Sequence, residues 1–280
     1  MSDAIKRLEC RAAKCRRNIL RMIRAGGAGH MGGAMSCMDI VTALYFYALY
    51  VDPLDPKKND RDRFVLSAGH KCMAQYAALA ERGFFDESLL DTYGALGTKL
   101  PGHPDMHKLP GIEANTGALG HGLAISVGMA LGLRASGLKS RVFTVLGDGE
   151  LPEGSNWEAV SAASHYKLSN LTAFVDVNGL QISGSTASVM NMEPIDARFE
   201  AFGWAVATID GNDMGEIVRT LDSLPLATER PSAIIARTVK GKGLAFAEGN
   251  AAYHYWKPKE EELAEAEAEL DRAIRLKEAV

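Results

Sequence analysis

The chain has 280 residues, of which 47% are hydrophobic and 24% charged, a composition typical of a globular protein in water. Its formal net charge of −4 gives no basic excess for binding nucleic acid, and no apolar run reaches the roughly 18 residues of a membrane span. The four cysteines form no CxxC pair, which indicates reduced thiols in a cytoplasmic protein.

The first predicted element is an amphipathic helix over residues 4–25. Its basic residues superficially resemble those of an organelle transit peptide, but Asp3 and Glu9 interrupt them and a glycine motif follows directly. We therefore interpret the segment as part of the fold and its charge as a solvated face. The motif at residues 26–33 contains GxGxxG, yet it follows a helix rather than a strand, so the condition for a dinucleotide site is not met.

The next predicted elements are a helix from a cap at Ser36 to about Tyr50 and a short strand over residues 63–68. A long irregular connection, residues 94–117, follows and contains His103. Connections of this length are usually functional or disordered, and the histidine favours a functional one.

Two apolar runs of β-formers, residues 142–146 and 171–177, enclose a helix-like segment and predict a βαβ unit. Asp148 follows the first run and Asn178 follows the second. Because ligands bind at the carboxyl ends of parallel strands, these two side chains should converge. Each alone is equally well interpreted as a turn former. Two oxygen donors beside a glycine-lined gap suit a Mg²⁺ ion that also holds a diphosphate.

Two further strands, residues 205–209 and 233–237, continue the α/β pattern, with no internal repeat and no composition break. We therefore predict a single domain over residues 1–280. Its tail, residues 258–280, holds eight acidic and four basic residues and is predicted to be an exposed or partner-facing helix.

The spacing of GDG and Asn, with 28 residues between Gly149 and Asn178, matches the thiamine diphosphate signature. Further motifs extend this match along nearly the whole chain, in the order and spacing of the transketolase family. They are GHMGG at 29–33, LSAGH at 66–70, PGHP at 101–104, TGALGHG at 116–122, GDGELPEG at 147–154, DVNGLQISG at 176–184 and KGKG at 240–243. The chain thus resembles transketolases, which implies a three-layer, doubly wound, mainly parallel sheet flanked by helices, the diphosphate-binding domain of that fold.

The resemblance implies thiamine diphosphate as cofactor and Mg²⁺ as metal, with Ca²⁺ or Mn²⁺ as possible substitutes. Asp148, Asn178 and the backbone carbonyl of Leu180 would hold the metal, and Gly149 would permit close approach of the diphosphate. Lys240 matches a loop lysine near the phosphates, with a solvated loop lysine as the alternative.

Four histidines match positions where transketolases place imidazoles around the cofactor and the donor sugar: His30, His70, His103 and His254. His30 and His254 would lie near the reacting carbon, and His103 would contact the ketose hydroxyls. His70 is assigned to the cofactor. Imidazole suits these roles because ketol transfer moves protons to and from sugar hydroxyls near neutral pH.

Three other residues match positions around the cofactor. Gly117 and Leu119 correspond to the backbone beside the aminopyrimidine. Glu153 corresponds to an acid behind the site near the subunit interface, and the ordinary preference for negative charge at a helix N-terminus is an equally good interpretation.

A complete transketolase has a second domain that binds the aminopyrimidine and supplies the acid that activates it, whereas this chain corresponds to the first domain. We therefore predict the N-terminal subunit of a split transketolase, joined by a C-terminal subunit with the pyrimidine-binding domain in an α2β2 assembly. The pair would transfer a two-carbon ketol group from a ketose phosphate, or a related sugar, to an aldose or aldose phosphate. Two alternatives stay open: the alpha subunit of a 2-oxo acid dehydrogenase, and a catalytically silent regulatory subunit that binds the cofactor.

Overall fold

A parallel sheet lies at the centre of the computed structural model, which describes residues 2–279. Its strands belong to the following series: β1 (Arg63–Leu66), β2 (Val142–Gly147), β3 (Leu171–Val177), β4 (Leu180–Gln181), β5 (Gly184–Ser185), β6 (Ala205–Asp210) and β7 (Ser232–Arg237). Five of them pair in the order β1-β2-β3-β7-β6, every pair parallel, while β4 and β5 form a small antiparallel hairpin. The carboxyl ends of the five parallel strands therefore meet at one edge.

Helices cover both faces of this sheet. They are α1 (Ser2–Gly26), α2 (Met31–Ser36), α3 (Met38–Ala43), α4 (Cys72–Arg82), α5 (His121–Ala135), α6 (Gly154–His165), α7 (Thr186–Val189), α8 (Ile195–Ala201), α9 (Met214–Asp222) and α10 (Glu260–Glu278). Short 3₁₀ turns span Gly69–Lys71, Glu87–Thr92, Asp148–Glu150 and Ala251–Tyr253. None of the helices within residues 2–279 is both long and apolar enough to cross a membrane.

Alternation along the strands divides the buried side chains between two cores. In β2, Phe143 and Val145 join the core formed with α1 to α4, α9 and α10, whereas Val142 and Leu146 join the core formed with α5, α6 and α8. Both faces of each central strand are buried, which is why β2 and β3 are almost continuously apolar. The predicted three-layer, mainly parallel α/β fold is confirmed.

The helix predicted from Ser36 to Tyr50 is wrong in its bounds. Ser36 is the last residue of α2, α3 begins at Met38, and a π-helical turn occupies Leu44–Ala48. Ser36 does not cap a helix; its hydroxyl donates to the buried carboxylate of Asp176 at 2.6 Å. The buried carboxylate needs a hydrogen-bond donor and takes the hydroxyl of Ser36, so this hydroxyl does not act as a helix cap. Asp176 lies far away in the sequence, so the local pattern does not show this contact.

The basic residues of α1 are not simply a solvated face. Arg16 is only 7% exposed, and two of its nitrogens donate to the carboxylate of Asp39 in α3 at 2.9 and 2.7 Å. Arg17 instead pairs with Glu267 at 3.1 Å and with Asp271 at 3.0 Å, both in α10. The charges of α1 therefore hold neighbouring helices.

The tail helix α10 lies against α1. Its apolar residues Leu263, Ala266 and Leu270 are buried in the first core, and two of its acidic residues, Glu267 and Asp271, pair with arginines of α1. The expectation of an exposed or partner-facing helix is therefore wrong for this apolar stripe, because α1 already covers it.

A short backbone bridge joins distant parts of the chain beside the carboxyl edge of the sheet. The amide of Gly29 donates to the carbonyl of Trp256 at 3.0 Å, and the amide of Trp256 donates back at 2.9 Å. This pairing brings His30 close to His254.

Replacing Trp204 by Phe should lower the free energy of unfolding by about 2 kcal/mol, measured by urea denaturation. Trp204 is fully buried, and its Nε1 donates to the carbonyl of Val160 at 2.9 Å, so the change removes buried volume and this hydrogen bond. Tyr166→Phe is the control, because Tyr166 is 47% exposed, and it should stay within about 0.5 kcal/mol of the wild type. Equal stability of Trp204→Phe and wild type would contradict the assigned packing.

Candidate active site

A cleft of about 300 Å³ opens at the carboxyl edge of the sheet. Ten of the twelve predicted site residues line it: His30, His70, Gly117, Leu119, Asp148, Gly149, Asn178, Leu180, Lys240 and His254. The two exceptions are His103 and Glu153. The fold thus brings residues from seven separate stretches of the chain to one place.

Asp148 and Asn178 converge because β2 and β3 are parallel neighbours. Asp148 follows the last residue of β2, and its carboxylate accepts from the amide of Gly149 at 2.9 Å and from the amide of Gly179 at 2.7 Å. Gly179 makes the second contact from a left-handed turn with φ of +75°. Asn178 Oδ1 accepts from the amide of Leu180 at 3.2 Å, which orders the same turn.

The carboxyl group of Asp148 is buried, being 4% exposed. Burial and the nearby charge of Asp176 raise its pKa to about 6, although the two backbone amides partly oppose this shift. A cation in the cleft would favour the charged carboxylate. The donor chemistry here therefore fits a hard metal ion.

Lys240 is buried rather than solvated, with 2% exposure. Its Nζ donates to the carbonyl of Leu180 at 2.9 Å and lies 3.0 Å from Nδ1 of His254. Burial and the charge of Lys71 lower the pKa of Lys240 to about 8. The Leu180 carbonyl thus already faces a positive group at the cleft, which agrees with its predicted use as a cation ligand.

Within residues 2–279, no group of three or more His, Cys, Asp and Glu side chains is arranged to hold a metal ion. The predicted donors are instead one carboxylate, one amide and one backbone carbonyl. Such a set would leave room around a metal ion for other oxygen ligands, such as those of a diphosphate.

His30 is the centre of a cluster of rings on the other side of the cleft. Its ring centroid lies 5.4 Å from that of His70, 5.5 Å from His254, 6.3 Å from His103 and 4.8 Å from Tyr255. The grouping of the four histidines was predicted from their motifs, whereas the contact with Tyr255 was not.

Burial and neighbouring positive groups lower the pKa values of three of these imidazoles, His30, His70 and His254, and keep them neutral. Burial, with the charges of Lys71 and the other histidines, lowers the pKa of His70 to about 2. Burial and Lys240 lower the pKa of His254 to about 4, and burial also lowers that of His30. Neutral imidazoles can both accept and donate hydrogen bonds, which is the form needed to contact hydroxyl groups.

His103 stands beside the cleft rather than on its wall. A β-carbon added to Gly117 would lie 2.4 Å from Cδ2 of His103, and Gly117 has a φ of +139°, so only glycine fits there. The hydroxyl of Tyr76 donates to the carbonyl of His103 at 2.9 Å and fixes this part of the long connection.

Glu153 precedes α6, outside the cleft, and its side chain makes no capping hydrogen bond. Its neighbour Glu150, which the sequence motifs did not single out, is 2% exposed. Glu150 accepts from Ser67 Oγ at 2.5 Å and from the amides of Gly120 at 2.9 Å and Gly147 at 3.2 Å. It therefore ties the ends of β1 and β2 to the start of α5.

Lys71 and Asp176 were likewise not predicted as site residues. Lys71 lines the cleft, and its Nζ lies 2.6 Å from Oδ2 of Asp176. One signal was present in the sequence: Asp176 is a charged residue within an otherwise apolar strand, and a carboxylate there needs a partner. Nothing local identified Lys71 as that partner.

Comparison with known proteins finds a match to the family model described as "Transketolase, thiamine diphosphate binding domain" over residues 10–273. Among curated proteins, the chain is 42% identical over 270 residues to the A subunit of the apulose-4-phosphate transketolase of Phocaeicola vulgatus, covering 96% of each chain. It is also 42% identical over 272 residues to the 6-deoxy-6-sulfo-D-fructose transketolase subunit SqwG of Clostridium sp., covering 97% of this chain and 99% of that protein.

Solved structures agree with this match. The transketolase of Campylobacter jejuni superposes with a TM-score of 0.88 at 33% identity, over 94% of this chain and 42% of that one. The transketolase of Leishmania mexicana gives a TM-score of 0.87 at 28% identity, over 97% of this chain and 45% of that one. The chain therefore spans less than half the length of these solved relatives.

Replacing His70 by Gln should make the melting temperature decrease less when the pH is lowered from 7 to 5. The native state keeps His70 neutral, with its pKa lowered to about 2 from an ordinary value of 6.5, so below pH 6.5 the unfolded chain binds a proton that the native chain does not. The stability contributed by neutral His70 is complete above pH 6.5 and is lost as the pH falls. Comparing melting temperatures of variant and wild type at each pH cancels the contributions of other groups.

His165→Gln is the matched control, because His165 is exposed and lies outside the cleft. This control should show the pH dependence of the wild type. Parallel curves for His70→Gln and wild type would mean that His70 is not held neutral.

Proposed function

Since the chain belongs to the transketolase family and corresponds to its thiamine diphosphate-binding domain, we propose that it is the N-terminal subunit of a two-component transketolase. In this proposal it binds thiamine diphosphate through Mg²⁺. Together with a C-terminal subunit, it transfers a two-carbon ketol group from a ketose phosphate to an aldose phosphate.

The observation that carries the proposal is the meeting of Asp148, Asn178 and the Leu180 carbonyl in one glycine-lined cleft. Hydrogen bonds to backbone amides hold both side chains in place before any ligand arrives. The proposed assignment has these three oxygen donors hold Mg²⁺, and the diphosphate completes its coordination. Ca²⁺ or Mn²⁺, which also prefer oxygen ligands, are proposed substitutes.

Other residues would position the diphosphate and the pyrimidine. Gly149 has no side chain, and a β-carbon there would lie 3.0 Å from Cγ of Gln181, so glycine keeps this wall open. Lys240 supplies a positive charge to the phosphate end, which its burial makes stronger than it would be in water. Gly117 and Leu119 line the cleft where we assign the aminopyrimidine, and His70, which lines the same cleft, is assigned to the cofactor.

The bound cofactor supplies a nucleophilic carbon and an electron sink for breaking the bond beside the ketose carbonyl. The residues of this chain bind the sugar, exclude water and hold protons. We assign His30 and His254 to the hydroxyls nearest the reacting carbon, because both line the cleft and their rings lie 5.5 Å apart. His103 is assigned to the more distant ketose hydroxyls. Glu153 is assigned to the rear of the cofactor, near the partner.

Two observations support a partner. Relatives of nearly the same length are named as single subunits of transketolases, and the solved transketolases are more than twice as long as the part that this chain matches. A C-terminal subunit that carries the pyrimidine-binding domain would supply the rest of each site, in an α2β2 assembly. A sugar phosphate is the proposed substrate class, since the histidine cluster suits a polyhydroxylated donor.

The isolated chain should show no ketol transfer, and a mixture with the C-terminal subunit should show it when thiamine diphosphate and Mg²⁺ are present. The measurement is formation of the new ketose phosphate, followed by chromatography. Full activity of the chain alone would contradict the partner requirement. Decarboxylation of a 2-oxo acid instead of ketol transfer would favour the dehydrogenase alternative, and an assembled but inactive complex with bound cofactor would favour the silent regulatory role.

Replacing Asp148 by Ala should weaken metal-dependent cofactor binding by more than the roughly 10- to 100-fold that is typical for loss of an outer partner of a metal ligand. Calorimetric titration of the complex with thiamine diphosphate and Mg²⁺ measures this. The metal-free variant should still fold, since the wild-type fold disfavours a charged Asp148, whose pKa is raised to about 6.

The matched control is Asp210→Ala, which removes a carboxylate from the end of β6 at the same edge of the sheet but outside the cleft. Its cofactor affinity should equal that of the wild type. Unchanged affinity of Asp148→Ala would show that the metal assignment is wrong.

A further inference from the structure

Asp176 is a fully buried carboxylate to which the proposed function assigns no role. It is the second-to-last residue of β3, and both of its oxygens have donors. Oδ2 accepts from Ser36 Oγ at 2.6 Å and from Lys71 Nζ at 2.6 Å, and Oδ1 accepts from the hydroxyl of Thr238. These donors come from α2, the turn after β1 and the loop after β7.

These contacts decide what Asp176 can do. Lys71 is itself only 2% exposed and balances the charge of Asp176, so neither group requires another ion. Asp176 already has a lysine as its cationic partner, whereas the carboxylate of Asp148 accepts only from two backbone amides and can still pair with an added cation. Asp176 lies beneath the cleft, next to Asn178, which we assign as a ligand of the metal.

The side chains of Asp176 and Asn178 are close together because of their positions in the chain. Positions 176 and 178 are two apart at the end of a strand, so their side chains project to the same face. Asn178 Nδ2 lies 3.4 Å from Oδ2 of Asp176 and 3.3 Å from Oγ of Ser36. The amide nitrogen is therefore turned towards acceptors below it, and Oδ1 lies at the other end of the amide, where it accepts from Leu180.

The orientation of the Asn178 amide matters because only the oxygen end of an asparagine amide can bind a cation. If the amide were rotated by half a turn, its NH₂ group would point at the metal and its oxygen would face the carboxylate of Asp176. A fixed carboxylate below the amide makes that second orientation unfavourable.

We propose that the buried Asp176–Lys71 pair is a positioning device for Asn178, holding its amide with Oδ1 towards the metal-binding cleft. The role rests on the proposed function, in which Asn178 is a metal ligand. It makes Asp176 and Lys71 positioning residues, which act on the cofactor only through Asn178.

The test is a double-mutant cycle on metal binding. The variant Lys71→Met/Asp176→Leu removes both charges together, so no buried charge is left without its partner and the net charge is unchanged. Mn²⁺ is titrated into the full chain in complex with its C-terminal partner in the presence of thiamine diphosphate, and free Mn²⁺ is measured by electron paramagnetic resonance. The expected loss of affinity is on the order of 10- to 100-fold.

Combining Lys71→Met/Asp176→Leu with Asn178→Ala shows whether the pair affects Mn²⁺ binding through Asn178 or in a general way. If the pair acts only through Asn178, the triple variant should bind Mn²⁺ about as weakly as Asn178→Ala alone, so that the losses do not add. Losses that multiply would overturn the proposal, because the pair would then act independently of Asn178. Wild-type affinity in Lys71→Met/Asp176→Leu would overturn it as well.

Ser36→Ala is a second, smaller change, and it carries the test if the double variant does not fold. It removes one acceptor of the Asn178 amide and should weaken Mn²⁺ binding several-fold, again without adding to Asn178→Ala. Thr238→Val is the matched control, since Thr238 contacts the oxygen of Asp176 that Asn178 does not approach. A loss in this control equal to that in Ser36→Ala would overturn the proposal.

The outcome for the wild type separates this inference from the proposed function. A wild-type complex that binds no Mn²⁺ with thiamine diphosphate would refute both. A wild-type complex that binds Mn²⁺ together with variants of equal affinity would refute only the positioning role.

Discussion

Five ionisable side chains are buried together at the carboxyl edge of the sheet, and the rest of the structure depends on satisfying them. Asp148, Glu150, Asp176, Lys71 and Lys240 are each at most 4% exposed. A buried charge without a partner costs several kcal/mol, so each strand end and loop around them must supply donors or acceptors. Lys71 balances the charge of Asp176. Asp148 receives only backbone amides, which leaves it the group most able to bind an added cation.

The apolar layers make this arrangement possible without contributing to its chemistry. Two cores hold β2 and β3 side by side, with Gly147 opposite Asp176 in the register. Helix α2 supplies Ser36, and the loop after β7 supplies Thr238 and Lys240. The polar groups thus arrive from several elements, and the precision of the site depends on how those elements pack rather than on any one loop.

The positions of the strand ends around the cleft could be predicted from the sequence. Asp148 and Asn178 follow apolar runs, so strand ends could be located and their convergence inferred from the geometry of parallel sheets. The neutral state of His30, His70 and His254, the burial of Lys240 and the pairing of Lys71 with Asp176 could not be inferred. Each depends on residues far apart in sequence, whose proximity is set by packing. Ser36 shows the same limit, since its local pattern fits a helix cap and a distant carboxylate takes its hydroxyl instead.

The bridge between Gly29 and Trp256 gives the site a particular folding order. It closes a loop of more than 200 residues, and such long-range contacts form late because their entropic cost is met only when the intervening chain is already folded. The turn that holds Asp148 is closed by contacts within residues 148–179, so it can form before the bridge does. The contact of His30 with His254 depends on the bridge, so the place that His254 occupies is the last part of the site to be completed.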